Sequence, residues 1–89
     1  MTRSEILETA HRYITQDRAA THGGAEDSFA DIAEMWSIYL EHAVGPEDVC
    51  MMMVLLKAVR FKNNSVHVDN PIDAAGYAAL AGEIASQRS

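Results

Sequence analysis

Basic residues are scarce in this chain: seven lysines and arginines stand against thirteen aspartates and glutamates, a net charge of −6. Nucleic-acid affinity is built mainly from lysine and arginine contacts to phosphate, so this balance argues against general DNA or RNA binding. Cysteine is scarcer still. Cys50 is the one cysteine; it cannot close an internal disulfide, and its place within an apolar run makes it a small buried hydrophobe of a reducing compartment. No CxxC or HxxxH spacing exists to build a zinc site. His11, His22, His42 and His67 are scattered, with no neighbouring partner for a Ser/His/Asp or Cys/His machine. Long apolar stretches are missing too: the run from Val49 to Leu56 is eight residues, where a membrane span needs roughly 20. The N-terminus lacks the apolar segment of a signal peptide. These absences lead to the expectation of a soluble, cytoplasmic protein without a membrane partner.

What the chain has in plenty is apolar material, 48% of 89 residues with five methionines. A single domain spanning 1–89 buries only a modest fraction of its surface, and self-association is a natural remedy, so a homo-oligomer is expected.

The periodicity predicts an all-α, four-helix bundle-like domain with helices at about 3–16, 26–43, 46–63 and 71–86. The third is its centre. Pro46 suits a first helical position, Glu47 and Asp48 favour the first turn, and Asn63-Asn64 mark the exit. Its apolar run covers every face, so the helix is read as a core element surrounded by the others, and also as a possible subunit contact. Thr2 and Glu5 have capping-box spacing for the first helix, whose stripe runs through Ile6, Leu7, Ala10, Tyr13 and Ile14. The Gly23-Gly24 pair breaks the chain after His22. Phe29, Ile32, Ala33, Trp36, Leu40 and Ala43 form the core face of the second helix. Asn70 reads as an N-cap before Pro71 in the fourth, which is rich in alanine and tolerates Gly76 for close approach of a neighbour or room beside a ligand.

Two sets of polar residues bear on function. Lys57 and Arg60, three apart at the end of the third helix, face Asp69, Asp73 and Tyr77 at the start of the fourth when the two helices form an antiparallel hairpin. Either this is a structural clasp, or the cations hold an anionic, nucleotide-like ligand with Tyr77 stacking on it, and His22 joins from the glycine loop. On the second helix Asp31 and Glu34 share a surface, and their DxxE spacing with a carboxylate from another helix suits a hard cation such as Mg²⁺. The plain alternative is a solvated acidic face.

The order HGG-AEDSFADIAEMW, MMMVLLKAVRFKNN, HVDNPIDAAGYAAL resembles a family of small all-helical phage and prophage proteins, a domain of unknown function, over about residues 11–82. More distantly it is similar to nucleotide-modification-associated helical domains and to MazG-like all-α nucleotide pyrophosphatases. The resemblance implies a phage or prophage source. The MazG likeness implies that Asp31 and Glu34 stand for a first metal-binding motif, and Asn70 with Asp73 for part of a second, although an aspartate opens the first and an asparagine replaces an acid in the second. Three functions remain open: a module binding a nucleotide-like ligand, as in sequestering a host defence signal; a Mg²⁺-dependent pyrophosphatase using Asp31, Glu34 and Asp73; and a structural or protein-interaction module.

Overall fold

The computed structural model describes residues 1–17 and 25–87. Among them are four α-helices and no strand: α1 (Arg3–Arg12), α2 (Ala25–Leu40), α3 (Pro46–Asn63) and α4 (Asp69–Ser86). The all-α expectation holds. A reciprocal capping box opens α1: the Glu5 N–H donates to the Thr2 hydroxyl and the Thr2 N–H to the Glu5 carboxylate, each at 3.1 Å. The Thr2 backbone N–H foremost, and then the Thr2 side chain, hold the Glu5 carboxyl below its usual range. From Tyr13 to Asp17 the helix widens to i→i+5 turns, and the Arg12 guanidinium lies 5.4 Å from the Tyr13 ring centre.

The second helix ends earlier than the hydrophobic pattern predicts. Glu41 adopts a left-handed conformation, φ 53°, so the His42 N–H reaches back to the Ser37 carbonyl at 3.2 Å and the Glu41 N–H to that of Ile38 at 3.4 Å. This is a Schellman exit. Ser37 then fastens the turn, accepting the Val44 N–H at 2.9 Å while lying 2.7 Å from the Ala33 carbonyl. Leu40 and Ala43, read as core, are exposed as a result. Leu7 of α1 is likewise on the surface, where Ala10 is the buried member of its stripe.

Gly45 leads into α3, its N–H held at 2.9 Å by the Asp48 carboxylate. At the far end Asn64 accepts the His67 N–H at 3.2 Å and His67 accepts that of Asn70 at 3.3 Å, so the connection is a tight turn that runs straight into α4. The helix consequently opens at Asp69, two residues before the predicted start, with Val68 rather than Asn70 at the cap position. Asn70 is buried.

The core is centred on α4. Tyr77, Leu80, Ala81 and Ile84 pack with Val49 and Cys50 of α3 and Phe29 and Ala33 of α2, with Ile14, Ile32, Trp36, Val44, Met53 and Val54 at the margins. α1 lies against α4, where Gly76 lets Ile14 come so near that a Cβ there would sit 2.8 Å from its Cγ2. The expectation that α3 is surrounded is not met. It is covered by α4 and partly by α2, and the opposite side, with Met51, Met52, Leu55, Leu56 and Val59, faces solvent.

Candidate functional site

Two places merit chemical scrutiny: the joint of α3 and α4, and the bare flank of α3. At the joint, α3 and α4 run side by side, so the face of α3 that carries Cys50 and Met53 continues one turn on to Lys57. Lys57 Nζ lies 2.9 Å from Asp73 Oδ2, with 13% and 24% of the side chains exposed. The cation is thus engaged within the protein. Tyr77, one turn beyond Asp73, turns inward: it is buried, with its ring edge-on to Phe29 at a centroid distance of 5.9 Å and an angle of 65°. Arg60 is exposed at the rim. Asp69 pairs at 3.3 Å with His67, both largely in solvent.

Of the residues read as a ligand site, the structure therefore joins Lys57 to Asp73 and sets Tyr77 beneath them in the core; Arg60 and Asp69 lie outside. His22 is not among the described residues. Asp31 and Glu34 are both exposed on α2, and among the described residues no group of three or more His, Cys, Asp and Glu side chains is placed to hold a metal ion. Cys50 is fully buried, and burial, aided by the Glu47 charge, pushes its thiol upward. A thiol held neutral in this way is a poor nucleophile.

At the second place, the sequence reading offers α3 as a subunit contact without saying which of its sides would serve. Leu40, Val44, Met51, Met52 and Leu55 line an open groove of about 590 Å³ between the α2 exit and α3. It adjoins a smaller one of about 320 Å³ under Trp36, Tyr39 and Met52. Met35, Ile38 and Tyr39 extend the apolar surface along α2, Tyr39 being 88% exposed. One signal was present: Ile38 stands among the carboxylates of α2, an apolar residue in a polar stripe. On α3 the uninterrupted apolar run concealed which side meets water. Among the described residues no helix is long and apolar enough to cross a membrane, so lipid does not account for this face through a spanning segment.

Comparison with known proteins places the chain among phage proteins. It is similar to the Gene 55 protein of Mycobacterium phage L5, 42% identical over 76 residues, covering 84% of this chain and 49% of that protein. It is also similar to the Gene 55 protein of Mycobacterium phage D29, 39% identical over 79 residues, covering 89% and 52%. The chain spans about half the length of these curated relatives. No solved structure matches. A likeness to MazG enzymes is not shown by these matches. A family profile matches residues 5–85, nearly the whole chain, and the chain belongs to that family, the domain of unknown function DUF6378.

Proposed function

We propose that this small phage-family protein is a protein-interaction module, which works by laying the apolar flank of α2 and α3 on a protein surface. The observation that carries this reading is the continuity of that flank: Tyr39, Leu40, Met51, Met52 and Leu55 surround adjoining grooves and are all exposed. Soluble monomers rarely leave contiguous apolar patches of more than a few hundred Å² uncovered unless something binds there. The methionines suit the role, since their flexible, polarizable side chains adapt to a partner.

The alternative, a module holding a nucleotide-like anion at Lys57 and Arg60, draws less support. Lys57 would first have to leave Asp73, 2.9 Å away, and Tyr77 would have to leave its contact with Phe29 to stack on a base. A Mg²⁺-dependent pyrophosphatase would in addition need Asp31 and Glu34 to meet a third carboxylate.

A photo-crosslinking residue at Leu55, compared with one at exposed Glu8 on α1, tests the interaction reading in the cell that makes the protein. A protein adduct formed from position 55 and not from position 8 is expected. Equal or absent adducts from both positions would overturn the proposal.

A further inference from the structure

On the bare side of α3 the residues Asp48, Met52, Leu55, Val59 and Lys62 follow one another at intervals of four, three, four and three, and all are exposed. This is the 3.5-residue spacing of a coiled-coil seam, which supplies knobs to a facing helix. It spans about 21 Å at 1.5 Å per residue. The shoulders are apolar as well, with Met51 and Leu56 exposed beside it. The seam lies on the far side of α3 from Cys50, Met53 and Lys57, which face the core and α4.

Its charges have a sign order. Asp48 ends the seam near the helix N-terminus and Lys62 ends it near the C-terminus, each two heptads from the other and one heptad from Leu55. We infer that the occupant of this face is a second copy of the same chain, its α3 antiparallel to the first and the two-fold axis passing at Leu55. In that arrangement Asp48 of each copy meets Lys62 of the other, Met52 packs near Val59, and Leu55 meets its own counterpart. A parallel pairing would instead set like charges together at both ends. An isologous interface of this kind is self-complementary by symmetry, and charge matching at its ends fixes the register.

This inference rests on the interaction reading above and names its partner. The test is sedimentation equilibrium of the chain and of three variants, Asp48→Lys, Lys62→Glu and Leu55→Arg, with circular dichroism to verify helicity. The wild type is expected at twice 9.8 kDa. Asp48→Lys alone and Lys62→Glu alone each weaken the dimer at least ~10-fold at low salt, because symmetry counts each repulsion twice. Leu55→Arg weakens it at least ~100-fold, placing a charge on the axis. An equimolar mixture of the two charge variants recovers the wild-type dimer, since every end contact is again between opposite charges.

A monomeric wild type, or charge variants that associate as well as the wild type, would overturn the antiparallel pairing. In the first case the Leu55 cross-link separates the two ideas. An adduct with a different protein keeps the interaction reading and removes the second copy, and no adduct removes both.

Discussion

Lys57 of α3 and Asp73 of α4 lie 2.9 Å apart and mostly out of solvent, so each helix supplies the charge that the other would otherwise bury alone. An ion pair in such a place contributes chiefly through what its loss leaves behind, an unmatched charge in a poorly solvated joint. Removing one partner is expected to cost about 1–2 kcal/mol, less than for a fully buried pair. In urea unfolding, Lys57→Ala and Asp73→Ala should each lower the midpoint, and the double variant should lose less than the sum of the two.

The same pair governs the ligand question. A panel of ribonucleotides, deoxynucleotides and cyclic nucleotides, filtered with the native chain with and without Mg²⁺, is expected to pass through unbound and unchanged. Retention of one compound that disappears in the Lys57→Ala, Arg60→Ala double variant would restore the anion-binding reading.

Gly76 is retained for space. Alanine normally gains about 1 kcal/mol over glycine inside a helix, but a Cβ at 76 would lie 2.8 Å from Ile14 Cγ2. Overpacking of that kind costs about 1–3 kcal/mol. Gly76→Ala should therefore destabilise the native chain and stabilise an Ile14→Ala background. Thermal melts of the four proteins measure that change of sign.

Glu41 stands where the chain needs a left-handed residue, φ 53°. Glycine takes that conformation without steric cost, and Glu41→Gly is expected to raise stability by about 0.5–1 kcal/mol. Chemical denaturation, compared with Glu8→Gly inside α1 as a control of opposite sign, checks it.

Cys50 predicts an alkaline limb. Its folded thiol is raised above the ordinary value of 9.0 by burial and by Glu47, so above that pH the unfolded chain loses its proton first. The folded state then binds more protons, and stability falls as pH rises through the interval between the two values. Below pH 9 this contribution is fully present. Cys50→Ala should lower stability at pH 7, through the lost packing, but flatten the fall at high pH. A thiol reagent should react with the native chain only as fast as it unfolds.

Much of this architecture was legible because its signals are local. Thr2 with Glu5 marks the start of α1, Pro46 the start of α3, and Asn63 its end, each through backbone hydrogen bonding that depends on few residues. The approach of Lys57 to Asp73 also followed from the antiparallel hairpin alone. The exit of α2 was not legible, since Glu41 holds a left-handed turn without the usual glycine or asparagine. Nor was the start of α4, where a backbone turn from Asn64 to Asn70 replaces a side-chain cap. The role of Tyr77 needed α2, because only the position of Phe29 decides whether a phenol at the helix start turns inward. The flank of α3 was hidden by its uniformity. A helix apolar on all sides carries no polar stripe to tell which side meets water, and the 3.5-residue spacing within it shows only once α4 is known to take the other face.

The pairing of α1 with α4 bears on how the protein is made. The capped first helix is synthesised early, yet its main packing partner follows only after all of α2 and α3. A helix as short as α1 is marginal in water by itself. On the ribosome it would flicker, with Ile14 still undocked, until the turn at Gly76 emerges to receive it. The cooperative step of folding is thus deferred to the arrival of α4, and a stalled chain lacking it would offer both flanks of α3 to chaperones and proteases.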